Sequence, residues 1–122
     1  MKIRIQGNSI RYRLTKSEVE TLALKGYYQE ETQFGEKSFT YALKADTNVQ
    51  VLSVDFKSDT ITLYLNKTKS LEWPNNEIVG FSSKLKTSKG TTLSLLLEKD
   101  FVCMDNTVED QSDNYPNPKL SK

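Results

Sequence analysis

The chain opens on two short runs in which apolar and polar residues alternate. Ile3 and Ile5 alternate with Lys2, Arg4 and Gln6, and Ile10, Tyr12 and Leu14 alternate with Ser9, Arg11 and Arg13. Gly7-Asn8 separates them, a pair that accepts the positive backbone angles of a two-residue hairpin turn. The predicted register sets Gln6 opposite Ser9, Ile5 opposite Ile10, Arg4 opposite Arg11, Ile3 opposite Tyr12 and Lys2 opposite Arg13. It gathers Ile3, Ile5, Ile10, Tyr12 and Leu14 on one face and Lys2, Arg4, Arg11 and Arg13 on the other. A slip of one residue would mix the two sets.

The period then changes. Thr15-Lys16-Ser17-Glu18 is a capping box, followed by Val19, Leu22 and Ala23 at helical spacing and by Gly26 as a stop. This predicts one short amphipathic helix over residues 16–25, packed on the apolar face of the hairpin. Strand signals follow at residues 27–34, 38–45, 49–57, 60–66, 77–86 and 91–99, with turns at Gly35-Glu36-Lys37, Ser58-Asp59 and Thr87-Ser88-Lys89-Gly90. Residues 67–73 fit one helical turn stopped by Pro74, with Trp73 anchored in the core.

Short links favour antiparallel neighbours. The expected class is α+β: a strongly curved antiparallel β-meander or incomplete barrel of about eight strands, with the helix closing one end. No internal repeat is visible. Residues 1–104 are expected to form one globular domain, and residues 105–122 an irregular acidic tail extended by Pro116 and Pro118.

Composition narrows the function classes. The 122 residues carry a formal net charge of +1, so no global field draws the chain to nucleic acid or membrane. Cys103 is the sole cysteine, which excludes an internal disulfide and suits a reducing, cytoplasmic setting. The first residues are polar and alternating rather than a continuous apolar leader, and no apolar run approaches the ~20 residues of a membrane helix. Histidine is absent, which removes Ser-His and Cys-His nucleophile pairs and most zinc sites. The glycines are isolated and form no phosphate-binding loop, so no cofactor is expected.

Charge placement says more than the total. All three arginines lie in the first hairpin, while 14 lysines supply the remaining positive charge. Like charges opposite each other on a sheet cost roughly 0.2–1 kcal/mol per pair, so the arginines call for an anion. A guanidinium fork fits a carboxylate or a phosphate. One source is internal, since residues 98–122 have a net charge of −3 and residues 1–97 a net charge of +4. The expected partners of Lys2, Arg4, Arg11 and Arg13 are therefore Asp100, Asp105, Glu109, Asp110 and Asp113, with the tail lying back on the hairpin. The other source is an acidic protein partner or a small anion.

Other chemistry is weakly signalled. Cys103 has acidic neighbours and no histidine to activate it, so it reads as a small buried residue. The tail carboxylates lack the glycine and spacing of a calcium loop, and no metal site is expected. Tyr27, Tyr28, Phe39, Tyr41 and Tyr64 could form a stacking platform for single-stranded nucleic acid, but the low net charge and the acidic tail argue against it.

Both ends carry a family resemblance. The opening Met1-Lys-Ile-Arg-Ile-x-Gly-Asn-Ser-Ile-Arg-x-Arg-Leu14 with Ser17-Glu18-Val19, and the close Glu98-Lys-Asp-Phe-Val-Cys103 with Glu109-Asp110, Asp113 and Tyr115-Pro-Asn-Pro118, resemble a family of small uncharacterised bacterial proteins. The resemblance implies a domain of unknown function whose basic opening and acidic close belong together. It brings no catalytic residue. The expected function is a small binding or accessory domain with an arginine patch for carboxylate or phosphate groups. The alternatives are an enzyme using carboxylates in a barrel mouth and a weak single-stranded nucleic-acid binder.

Overall fold

A computed structural model describes residues 1–101 and 112–116. Eight strands form two four-stranded sheets. The first contains β1 (Lys2–Gln6), β2 (Ser9–Leu14), β7 (Gly80–Lys86) and β8 (Thr92–Lys99), in the order β1-β2-β8-β7. The second contains β3 (Tyr27–Gln33), β4 (Ser38–Asp46), β5 (Leu52–Lys57) and β6 (Thr60–Asn66), in the order β3-β4-β6-β5. Two helices, α1 (Lys16–Lys25) and α2 (Lys67–Glu72), pack against each other. The α+β class holds.

The expected meander does not. Hairpins pair antiparallel, but the centre of each sheet is a parallel pair, β2 with β8 and β4 with β6. Neighbouring strands in sequence fall in different sheets wherever a helix intervenes, because the crossover carries the chain from one layer to the other. No closed barrel forms.

The element order reveals a repeat that residue identities hide. Each half of the chain runs ββαββ: β1-β2-α1-β3-β4, then β5-β6-α2-β7-β8. Each half places one hairpin in each sheet. Exchanging the halves turns the Ser9–Ser94 pairing into the Thr60–Thr40 pairing, so even the parallel registers correspond. Turn matches turn (Gly7-Asn8 and Ser58-Asp59), and N-cap matches N-cap (Thr15 and Asn66). Few identities survive, among them Ile10/Ile61, Leu14/Leu65 and Lys16/Lys67, which is why the sequence shows no repeat.

The local expectations hold closely. The β1–β2 register pairs Lys2 with Arg13, Ile3 with Tyr12, Arg4 with Arg11, Ile5 with Ile10 and Gln6 with Ser9. Helix α1 begins at a capping box, in which the Thr15 N–H donates to Glu18 Oε1 at 2.8 Å. It ends at Gly26, whose φ of 73° suits glycine and whose N–H donates to the Leu22 carbonyl. Helix α2 ends at Glu72 with Trp73 as its C-cap, directly before Pro74, as expected. Pro74 sits in the short 3-10 turn that follows (Trp73–Asn75), at a first-turn position where the missing N–H costs nothing.

One core fills the space between the layers. Tyr12, Leu14, Leu95 and Leu97 from the first sheet meet Leu43, Leu52, Ile61, Leu63 and Leu65 from the second, with Val19, Leu22 and Trp73 closing the helical end. The Tyr12 hydroxyl donates across the layers to the Ile61 carbonyl at 3.0 Å. Trp73 is buried as expected, donates to the Ile78 carbonyl at 2.7 Å and meets Phe81 edge-on. Gly80 marks a close approach of β7 to β8: a Cβ there would lie 2.3 Å from the Leu97 carbonyl oxygen.

Candidate functional site: the basic face of the first sheet

Alternation sends every second residue of the first sheet away from the core. Across the sheet, the outward positions are Lys2, Arg4 and Gln6 on β1; Ser9, Arg11 and Arg13 on β2; Thr92, Ser94, Leu96 and Glu98 on β8; and Gly80, Ser82, Lys84 and Lys86 on β7. Six cations thus share a face with Glu98 and, just past the strand, Asp100.

The acids gather at one end of this face. Arg13 is paired with Glu98 in the β2–β8 register. Glu98 Oε1 lies 2.6 Å from Arg11 Nε and 3.9 Å from Arg13 Nε. Gly80, opposite Glu98 on the other side, leaves that side chain its room. Asp100 Oδ2 lies 3.1 Å from Lys2 Nζ. The anion that relieves the arginines is therefore a neighbouring-strand glutamate. Glu98 lay within the acidic segment but had no assigned role, because only the parallel pairing of β2 with β8 brings it there.

The other end of the face has no such relief. Among the described residues, Arg4, Lys84 and Lys86 have no carboxylate within ion-pair distance, and Arg4 reaches only Gln6 Oε1 at 3.3 Å. Arg4 and Arg11, directly opposite each other, border two adjoining hollows. One, of about 190 Å³, is lined by Lys2, Ile3, Arg4, Arg11 and Arg13. The other, of about 160 Å³, is lined by Arg4, Gln6, Ser9, Arg11 and Leu96. Lys84 and Lys86 were not singled out from sequence, since the pairing that places them here joins the two ends of the chain.

The expected tail partners divide. Asp113 lies at the start of α1, where its carboxylate accepts from the Ser17 hydroxyl and from the Ser17 N–H at 3.4 Å, while its carbonyl accepts from the Lys16 N–H at 3.0 Å. The hydrogen bonds from Ser17 and Thr15 hold its carboxyl below the usual range. Among Asp113's assigned contacts the arginines do not figure; it caps a helix instead. Asp105, Glu109, Asp110 and Cys103 lie outside the described residues.

A carboxylate pair that sequence did not single out forms elsewhere. Glu18 on α1 and Glu30 on β3 both contact the buried Met1 ammonium. Burial alone would raise the Glu18 carboxyl, but the hydrogen bonds from that ammonium and from the Thr15 N–H outweigh it and hold Glu18 below the usual carboxylate range. Burial and then the two glutamates push the Tyr28 hydroxyl up, and Tyr41 is raised by burial, Glu30 and Glu18. The proposed aromatic platform is also relocated. Tyr27, Tyr28, Phe39, Tyr41 and Tyr64 all belong to the second sheet, away from the arginines.

Among the described residues no group of acidic or thiol side chains could hold a metal ion, and no helix is long and apolar enough to cross a membrane. Comparison with curated proteins and with solved structures returned no match. A family model described as "Family of unknown function (DUF7009)" matches residues 1–119, and the chain belongs to that family.

Proposed function

We propose that this DUF7009 chain is a binding domain whose first sheet presents its outer face to acidic groups, phosphate or carboxylate, on a partner molecule. The observation that carries the reading is the unrelieved end of that face. Arg4 stands opposite Arg11 above two hollows, and Lys84 extends the positive charge along β7; neither Arg4 nor Lys84 has a described carboxylate within ion-pair distance. Two arginines facing each other repel, and a sheet that keeps them gives up stability unless an anion sits between them. Glu98 engages Arg11 through Nε, which leaves the guanidinium's outer fork for a second acceptor.

Titration of the protein with pyrophosphate at low salt tests the reading, followed through backbone amide NMR shifts. The expected result is a saturable shift of β1 and β2 amides that Arg4→Gln weakens about tenfold, the scale of one lost charge-assisted hydrogen bond. Absence of saturation, or equal binding by the variant, would overturn it.

For the enzyme alternative, Glu18 and Glu30 are a carboxylate pair that meets among the described residues. That pair surrounds the chain's own ammonium, which supports a structural role.

A further inference from the structure

Strand β8 breaks its own rule. Leu93, Leu95 and Leu97 face the core, and the next inward position is Lys99. It is 5% exposed and lies beside Leu14 in the parallel register. The fold does not require a lysine there, because the corresponding position in the other half of the repeat, beside Leu65, is Ala45. A buried ammonium is costly unless it is paired. Lys99 Nζ donates to the Asn76 carbonyl at 2.8 Å and lies over the rings of Tyr115 (4.8 Å) and Trp73 (5.8 Å). Among the described residues no carboxylate comes within ion-pair distance of it. Burial lowers its affinity for the proton, and Glu77 opposes this only in part.

In front of Lys99 lies a cavity of about 440 Å³, bordered by Asn76, Glu77, Val79, Phe101, Tyr115 and Pro116. That volume lies within the range of small-molecule sites, roughly 300–1,000 Å³, and its walls combine apolar and aromatic surface from Val79, Phe101, Tyr115 and Pro116 with the polar side chains of Lys99, Asn76 and Glu77. We propose that this cavity binds a small organic monocarboxylate with a flat apolar body, its carboxylate on Lys99 and its body against Tyr115 and Phe101. The ligand supplies a counter-charge that no described residue provides at ion-pair distance. Glu77, also lining the cavity, disfavours a second negative charge, which separates this site from the phosphate-compatible arginine face.

Benzoate is the probe, with benzamide as its neutral counterpart. Trp73 is the sole tryptophan, and its indole N–H, bonded to Ile78 beside the cavity, gives a single NMR reporter. The expected result is a saturable shift of that signal and of the Val79 and Phe101 amides with benzoate. Benzamide should bind at least about tenfold more weakly, and Lys99→Met should abolish the benzoate response while keeping a folded spectrum. Equal binding of benzoate and benzamide by the unaltered protein would overturn the proposal, independently of any variant. So would no saturation by roughly 50 mM, or benzoate shifts confined to β1 and β2 amides, which would report the arginine face instead.

Discussion

The two halves of the chain share a topology and differ in what they display. In the second half, the positions of Arg4, Arg11 and Arg13 are taken by Asp55, Thr62 and Tyr64, and the Tyr64 hydroxyl donates to Asp55 at 2.7 Å. Two facing cations are thus replaced by an acid beside a threonine, and Glu98 by Lys44. Inward positions, Lys99 against Ala45 excepted, keep their apolar character: Leu14 and Leu65, Tyr12 and Leu63, Leu22 and Trp73. Burial constrains the core positions of both halves alike. Outward positions are released from that constraint wherever backbone does not crowd them, so they diverge between the halves.

Substitutions that exchange features between the halves break or sharpen this comparison. Gly80 corresponds to Tyr27, which is 40% exposed and keeps its side chain without conflict. Gly80→Ala should cost about 2–3 kcal/mol in chemical denaturation, because its Cβ meets backbone that cannot yield. Tyr27→Ala should change stability by less than about 0.5 kcal/mol.

Lys99 against Ala45 gives the next largest effect. Lys99→Met should raise stability at neutral pH by roughly 1–2 kcal/mol, since an apolar side chain avoids the desolvation of the charge. The folded lysine holds its proton less tightly than the unfolded one. The unaltered protein should therefore recover part of that difference as the pH rises from the folded value towards 10.5, the ordinary lysine value. A difference between the two proteins that does not narrow over that window would contradict a charged Lys99 destabilised by its burial.

The helix starts differ too. Asn66 caps α2 with its own side chain, accepting from the Lys69 N–H at 3.1 Å, whereas α1 relies on Glu18 and Asp113. Glu18 has a lowered folded-state value, so its contribution is present above 4.5, the ordinary value, and is lost as the pH falls through the folded one. Glu18→Gln should remove about 1 kcal/mol at pH 7 and flatten the acid limb of the stability curve. An unchanged acid limb would mean that the Met1 ammonium and Thr15 do not rely on this carboxylate.

The smallest effect bears most directly on function. Arg4→Gln relieves the Arg4–Arg11 repulsion and should stabilise the protein by roughly 0.2–1 kcal/mol at low salt, less at high salt. A variant that is more stable yet binds pyrophosphate less well would mark the arginine as kept for binding. A destabilised one would mark it as structural.

Much of the fold was legible where its causes are local. The Gly7-Asn8 turn and the alternation around it specify the β1–β2 register, and the Thr15-Glu18 box with Gly26 bounds α1. The turn at Ser58-Asp59 is readable because Ser and Asp between two alternating runs favour a turn, and there both residues adopt positive φ, at 52° and 58°. Half of the candidate site followed from the same reasoning, since Lys2, Arg4, Arg11 and Arg13 need only one hairpin to share a face. Glu98, Lys84 and Lys86 were not legible as members of it. They reach the arginines through β8, more than eighty residues along the chain from β2, and no periodicity carries pairing information over that distance.

What the sequence determined by itself is therefore each strand's two faces, the turns that close the hairpins and the caps that bound the first helix, because steric preference and period act within a few residues. The tertiary structure alone decided that hairpins join through parallel centres, that the halves repeat, that Asp113 caps a helix and that Lys99 stands in a cavity. These outcomes depend on which surfaces bury each other best across the whole chain, a choice made by packing between distant segments.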